Sequence, residues 1–364
     1  IYARQKITQS DLETVNRVLL SDYLTQGPEV PFFEEALIQR FGVKYAVACS
    51  SGTAALHLAY ASLGIGPESC GIVPAVTFAA TANAFRYLGA KILFCDVHPE
   101  TGLICLDSLE EIIESDLYDS ETSLNGLCAV SLNGRVAPME SCRRIADHHG
   151  LALVEDASHS PGACERKPNG FIEKSASCQS STAACLSFHP VKHVCCGEGG
   201  AVLTNSSEVA EKCRSMRSHC IERPFSHDHP TPWYYQQTGL GWNYRMSEVE
   251  AALGRSQLSR LDDDLSKRRK LAARYHEALS QPPFVEHLVP PVSSPGHAWH
   301  LYPVRFHETK TRNEAYLSLR SRDIHSQVHY LPLYRHPYYE QLYGKRRLPG
   351  AEQYYRSVLS IPLY

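Results

Sequence analysis

The sequence predicts an α/β protein, with a mainly parallel sheet covered by helices on both faces and a smaller C-terminal α+β domain. Two observations carry this prediction. Across the first two thirds, short near-continuous apolar runs alternate with helix-like stretches, and strands of that kind are buried on both faces of a parallel sheet. From about residue 255 the alternation gives way to a long charged helix, a Pro-rich break and a few mixed pieces. With 364 residues the chain has material for both parts. The expected division is a large domain over 1–254, including the N-terminal segment, and a small one over 255–364.

Tyr45-Ala-Val-Ala-Cys49 reads as the first strand and breaks into Ser50-Ser-Gly52. Residues 53–63 then read as a helix rich in Ala and Leu, closed by Gly64. Gly71-Ile-Val-Pro74 reads as a strand, 80–88 as a helix and Lys91-Ile-Leu-Phe-Cys-Asp96 as a strand. Gly126-Leu-Cys-Ala-Val-Ser-Leu132 and Leu151-Ala-Leu-Val-Glu155 flank a helix over 139–149. In the C-terminal part a helix is expected over 260–279. Breaks follow at Gln281-Pro-Pro283 and Val289-Pro-Pro-Val292, then a strand over 299–305 and a helix over 313–320. Ligands of an open parallel sheet gather at the carboxyl ends of its strands. Ser51, Asp156 and Ser187 all fall near such ends.

Composition excludes some classes. A formal net charge of -3 argues against nucleic acid as the main partner, which calls for a strong basic surplus. Lys267-Arg-Arg-Lys270 reads as the solvated face of a helix. The thirteen cysteines are scattered without a C-x-x-C pair, so a zinc site is not expected. Cys49, Cys95 and Cys128 sit in apolar runs as small buried hydrophobes. An odd number in an enzyme-like chain points to a reducing cytoplasm. No 18-residue apolar run and no signal peptide are seen, so neither a membrane span nor export is expected.

The chemistry lies in three places. Lys192 sits in Ser187-Phe-His-Pro-Val-Lys192-His-Val-Cys-Cys-Gly197-Glu-Gly-Gly-Ala201. Leu153-Val-Glu-Asp156-Ala-Ser-His159 ends a strand with acids, and Ser50-Ser-Gly-Thr53-Ala54 opens a helix with small residues and hydroxyls. An amine, a strand-end carboxylate and an anion-binding helix start are the parts that hold pyridoxal phosphate. Lys192 forms a Schiff base, Asp156 keeps the ring nitrogen protonated, and the helix start takes the phosphate through Gly52, Thr53 and Ala54. Ser187 adds a hydroxyl five residues before the lysine. The plainer alternatives are a surface lysine in a glycine-rich loop and an aspartate capping a helix. Glu155 points the other way along the strand.

These motifs resemble the DegT-type family of PLP-dependent nucleotide-sugar aminotransferases. The likeness runs from Thr25-Gln-Gly-Pro28 through Ser51-Gly-Thr-Ala54, Glu155-Asp-Ala157, the Lys192 segment and Gly241-Trp-Asn-Tyr-Arg-Met246 to Gln327-Val-His-Tyr-Leu-Pro332. Ser187-Phe-His-Pro-Val-Lys192 and Val328-His-Tyr-Leu-Pro-Leu333 are most similar to the branch that makes the pseudaminic acid precursor. The resemblance implies a PLP-dependent aminotransferase of fold type I. It would move an amino group from L-glutamate to C4 of a UDP-linked 4-keto-6-deoxy-N-acetyl sugar, as a homodimer with shared active sites.

It implies roles residue by residue. Phe78 stacks on the cofactor ring, with core packing as the alternative. His159 hydrogen-bonds the cofactor's phenolic oxygen, and Asn243 reaches the phosphate from the neighbouring subunit, with a turn residue as the alternative. Arg245, His329 and Tyr330, with Tyr244, line the sugar-nucleotide end, and Arg217 and His219 border the entrance. Cys195-Cys196 depart from the threonines that relatives carry before Gly-Glu-Gly-Gly. A lysine rather than a histidine at 192 separates the chain from the family's sugar dehydratases. Other readings are an aminotransferase of a bacillosamine- or perosamine-type ketosugar, and a PLP-binding regulator without turnover. A nucleotide-binding protein of another kind would need a G-x-G-x-x-G or P-loop fingerprint, which the first strand lacks.

Overall fold

A computed structural model describes residues 4–115, 122–224 and 230–364. The strands are β1 (Tyr45–Cys49), β2 (Ser69–Pro74), β3 (Lys91–Cys95), β4 (Ser123–Val130), β5 (Ala152–Asp156), the hairpin β6 (Cys164–Arg166) and β7 (Ile172–Lys174), β8 (Ala183–Ser187), β9 (Gly200–Thr204), the hairpin β10 (Ile221–Glu222) and β11 (Gln236–Gln237), β12 (Leu288–Val289), β13 (Tyr302–Phe306) and β14 (Val358–Ile361). Seven form one sheet in the order β1-β9-β8-β5-β4-β2-β3. β3, β2, β4, β5 and β8 run parallel, and β9 runs antiparallel to both β8 and β1. The sheet is therefore mainly parallel, as its apolar runs predict.

The helices are α1 (Gln9–Leu19), α2 (Glu29–Phe41), α3 (Gly52–Ser62), α4 (Ala80–Tyr87), α5 (Leu106–Glu114), α6 (Met139–His149), α7 (Ser207–Arg217), α8 (Glu248–Leu258), α9 (Leu261–Leu279), α10 (Thr309–Ser321), α11 (Pro337–Tyr343) and α12 (Pro349–Ser357). Alternate residues of each strand feed opposite faces. Ala46 and Ala48 of β1 join Phe33 and Leu37 of α2 and Ile145 of α6 in one apolar core. Val47 and Cys49 join Leu56 and Leu58 of α3 and Phe85 of α4 in the other. Both faces of the sheet are thus covered.

The C-terminal part builds its own antiparallel sheet, β12-β13-β14. Its core joins Ala272 of α9 to Trp299, Tyr302, Val304 and Leu359. Helix α9 opens with Asp262, Asp263 and Asp264, which complement the positive end of the helix dipole. The strand expected over 299–305 begins only at Tyr302. Trp299 has φ 50, outside the extended region, and the chain before β13 is held on the turn at Asn133–Gly134 by Ala298 N to Gly134 O at 2.8 Å and Leu301 N to Asn133 O at 3.2 Å. Residue 254, the last of the expected large domain, lies inside α8.

Candidate active site

The parallel strands end at a cavity of about 460 Å³. Gly52, Thr53, Phe78, Asp156, His159, Ser187, Lys192, His329 and Tyr330 all line it. Nine residues singled out in the sequence, from five separate stretches of chain, thus line one cavity.

After β1 the chain turns at Ser51, whose backbone is extended and whose side chain caps α3. Gly52 is pressed against the end of β8. A Cβ there would lie 2.7 Å from Ser187 Cβ, so only glycine lets the helix start close on that hydroxyl. Ala54 departs from its expected place. It is 4% exposed, and its N–H donates to Ser51 Oγ at 3.1 Å, so the first turn spends this donor on its own cap rather than on the cavity.

Asp156 is the last residue of β5. The chain beyond it turns instead of starting a helix, which disposes of the helix-cap alternative. Ser158 N and Oγ donate to Asp156 Oδ1 at 3.1 and 2.6 Å, and Thr81 Oγ1 donates to Oδ2 at 2.8 Å. Glu155 faces the opposite side of the sheet. It accepts from Ser131 Oγ, Ser175 Oγ and Ala176 N, and burial pushes its carboxyl above the usual range.

Lys192 lies in the loop between β8 and β9, which is closed by Phe188 N to Gly199 O and Cys196 N to Phe188 O, both at 2.8 Å. Burial pushes its amine down to about 8, while the charge of Asp156 pulls the other way. Desolvation wins, so this amine holds its proton less tightly than an exposed lysine. Cys195 and Cys196 are buried and do not line the cavity; Cys196 packs on α8 at Gly254.

His159 Nδ1 faces the N–H of Asn133 at 3.4 Å, and Nε2 faces Tyr330 Oη at 3.4 Å. A backbone donor at Nδ1 leaves the ring proton on Nε2. Burial, then Lys192, His329 and His193, hold this imidazole well below its usual range and therefore neutral. His329 Nδ1 pairs with Ser360 Oγ at 3.0 Å, and burial followed by Lys192 takes it to about 3. Phe78 is 60% exposed at the cavity, 6.2 Å from the Tyr330 ring, which removes the core-packing alternative.

Asn243, Arg245 and Arg217 lie elsewhere. Asn243 is exposed and bridges Ser218, and neither it nor Arg245 lines this cavity. Arg217 donates to Glu34 at 2.7 Å and to Ala48 O at 2.6 Å, so it braces α7 against β1 instead of bordering an entrance. Sequence reasoning missed Thr81, Ser158, His189, Glu198 and Gln327, of which all but Thr81 line the cavity. Ser158 and His189 lie inside motifs already singled out; Thr81 carries no sequence signal linking it to Asp156.

The residues fit pyridoxal phosphate. Gly52 leaves a cradle that a Cβ would fill, beside the Thr53 and Ser187 hydroxyls. Asp156 supplies a fixed carboxylate, Phe78 an apolar plane and Lys192 an amine. Among the described residues no group of three or more His, Cys, Asp or Glu is placed to hold a metal ion.

A family model described as the DegT/DnrJ/EryC1/StrS aminotransferase family matches residues 5–364. UDP-4-amino-4,6-dideoxy-N-acetyl-beta-L-altrosamine transaminase of Campylobacter jejuni is 34% identical over 367 residues, covering 100% of this chain and 92% of the relative. Helicobacter pylori PseC, described as an aminotransferase involved in the biosynthesis of pseudoaminic acid, superposes with a TM-score of 0.87 at 29% identity, over 100% of this chain and 93% of that one. NtdA from Bacillus subtilis, solved with bound cofactor PMP, superposes with a TM-score of 0.84 at 28% identity, over 98% and 78% of the two chains.

Proposed function

Because this chain belongs to the DegT/DnrJ/EryC1/StrS aminotransferase family, we propose that it moves an amino group from L-glutamate to C4 of a UDP-linked 4-keto-6-deoxy-N-acetylhexosamine. The product is the UDP-4-amino-4,6-dideoxy-N-acetyl-beta-L-altrosamine for which the Campylobacter relative is named, on the pseudaminic acid route of the Helicobacter neighbour. The chain is a PLP-dependent sugar aminotransferase and its cofactor is pyridoxal phosphate. One observation carries the reading: an amine brought down to about 8 by burial lines the same cavity as a carboxylate whose two oxygens are both held.

When bound, the cofactor supplies an electron sink for charge that develops on the reacting carbon. The rest falls to the chain. Asp156, oriented by Thr81 and Ser158, keeps the ring nitrogen protonated. Gly52, Thr53 and Ser187 hold the phosphate and so fix the ring in the cavity. The His159 Nε2–H, which faces Tyr330 Oη at 3.4 Å, would serve the phenolic oxygen, and Phe78 would offer the ring an apolar face. Lys192 would hold the cofactor through its amine and, when free, would carry the proton in both directions: its Nζ would take it from the donor's Cα and pass it to the cofactor, then take it back and give it to C4 of the sugar. His329 and Tyr330 serve the sugar-nucleotide end, where binding remote from the chemistry supplies specificity, and Arg245, outside this cavity, has no place there from its own chain.

The reading includes a homodimer with shared active sites, in which Asn243 reaches the partner's phosphate. Its exposure away from its own cavity supports this. A cytoplasmic setting is supported by thirteen free cysteines. No helix among the described residues is long and apolar enough to cross a membrane. A division into 1–254 and 255–364 is supported by the separate core around β13.

The test is the visible absorption spectrum of the protein with PLP, before and after excess L-glutamate, in wild type and Lys192→Ala. The expected result is a long-wavelength band that glutamate bleaches in the wild type alone. Turnover should follow with the UDP-ketosugar in preference to GDP- and dTDP-ketosugars. A wild type without the band overturns the cofactor assignment and the mechanism together.

A further inference from the structure

We infer that His300 is a positioning residue for His159: its ring lies against the His159 imidazole and holds it at the angle that aims Nε2–H into the cavity. What that N–H meets there rests on the aminotransferase reading; the ring arrangement itself does not.

The hydrogen bonds of His159 are too long to fix its ring alone. Asn133 N and Tyr330 Oη both stand 3.4 Å away, at the weak end of the range. The torsion that turns an imidazole in its plane direction is broad, so something else must limit it. His300 is 2% exposed, and its ring centroid lies 4.2 Å from that of His159 at an interplanar angle of 39°. That is close contact between two tilted rings along one side of the imidazole.

His300 is itself placed by backbone. Its Nδ1 has no hydrogen-bond partner among the described residues, so the side chain does not anchor itself through that atom. Its segment instead docks on the turn at Asn133–Gly134. Gly134 has φ +104, and a Cβ on it would lie 2.6 Å from Trp299 N and 2.8 Å from His300 N. On the other side Arg268 donates to Trp299 O at 3.1 Å. The same turn therefore delivers the Asn133 N–H to His159 and seats the tilted ring that lies beside it. The residue comes from the stretch before β13, so the C-terminal part reaches the cofactor's surroundings through it.

The charges around the pair favour two neutral rings. His159 is faced by Lys192, His193, His300, His329 and Tyr330, with Asp156 in the same cavity. His300 is faced by His159, Lys192, His193 and Arg268. Burial, followed by those cations and imidazoles, keeps both rings well below the usual histidine range. Two imidazolium rings at this separation would repel each other.

The test compares His300→Phe, which keeps a planar ring, with His300→Leu, which fills volume without one. Two readouts are taken: the ring ¹⁵N signals of His159 in the cofactor-free protein, and the pH midpoint of the visible band in the holoenzyme. Wild type and His300→Phe are expected to show one His159 tautomer, protonated at Nε2, and the same midpoint. His300→Leu is expected to mix tautomers and to raise the midpoint by about one unit, the size of losing much of one charge-assisted hydrogen bond. Leu variants matching the wild type in both readouts overturn the inference. So does a Phe variant as perturbed as Leu, because then the plane is not what matters. If His300→Leu does not fold, the flexible His300→Met takes its place with the same expectations. Absence of the band in every protein strikes the aminotransferase reading instead, and the ¹⁵N signals still decide the role of His300.

Discussion

Thr81 Oγ1 lies 2.8 Å from Asp156 Oδ2, so the first turn of α4 holds the carboxylate at the end of β5, two strands away in the sheet. Thr81 Oγ1 is also 2.9 Å from Thr77 Oγ1, and Thr77 precedes Phe78 at the cavity. With Ser158 on Oδ1, both carboxylate oxygens are fixed before any ligand arrives. Thr81→Val is nearly isosteric and removes the donor to Asp156 together with the acceptor of the Thr77 hydroxyl. It is expected to lower kcat about 3- to 10-fold, equivalent to about 1 kcal/mol, with a melting temperature within a few degrees of the wild type. Single-turnover bleaching of the visible band by glutamate measures it; an unchanged rate would mean that Ser158 alone suffices.

The amine of Lys192 is expected to stand out from every exposed lysine even without cofactor. With a value of about 8, about one tenth of it is free amine at pH 7, against about one part in 3000 for a lysine at 10.5. Competitive acetylation read by mass spectrometry should therefore give it a roughly 300-fold larger free-amine fraction, with a midpoint near 8. Removing the charge of Asp156 as Asp156→Asn must move that midpoint lower, because the aspartate is what opposes desolvation. A midpoint that rises contradicts the assignment. The sign for stability follows. Between about 8 and 10.5 the unfolded chain binds more protons at this site than the folded one, so this group makes stability rise with pH across that window.

The sheet and the first-rank site residues were legible because their signals are local. Apolar runs ending in Ser51, Asp156 and Ser187 give both the strand and the end where the ligand sits. The glycine at 52 and the lysine at 192 each carry their reason in their neighbours. Thr81 and His300 were not legible, since each acts through a partner 75 or 141 positions away and neither has unusual neighbours. Ala54 was misplaced because the sequence shows a helix start but not which N–H its own cap consumes. Trp299 and His300 were assigned to a strand on apolar pattern alone. The turn at Gly134, on which they dock, imposes a backbone that pattern cannot report.

Adjacent positions of β5 give a paired prediction, because successive side chains on a strand face opposite sides. Asp156→Asn is expected to keep the fold and to lower kcat by about 100-fold or more, the scale of removing a charge that stabilises the transition state. Glu155→Gln is expected to leave kcat within about twofold. Its amide can accept from Ala176 N and donate to the Ser131 and Ser175 hydroxyls, so the buried hydrogen bonds survive. What it removes is a titration. The folded value of Glu155 is raised above 4.5, so the folded protein holds that proton longer and stability falls as pH rises through the window. Denaturant unfolding across mildly acidic pH should show that decline in the wild type and a flatter profile in Glu155→Gln. An equal slope in both would place the titration elsewhere.

Asn243 decides whether the site is shared. It is exposed, bridges Ser218 and stands outside the cavity of its own chain. Its neighbour Tyr244 is tied by its hydroxyl to His57 Nδ1 at 3.0 Å, which holds this stretch against α3 and leaves Asn243 facing outward. Lys192→Ala and Asn243→Ala are each expected to be impaired alone when PLP is limiting. Reassorted together, half of the dimers are mixed, and each mixed dimer contains one site with both residues intact, so about one quarter of wild-type activity should return. If Asn243 served its own chain, every site in the mixture would lack one residue or the other and nothing would return. Recovery therefore requires that Asn243 be supplied from the partner, and it would make dimer formation a condition of cofactor binding.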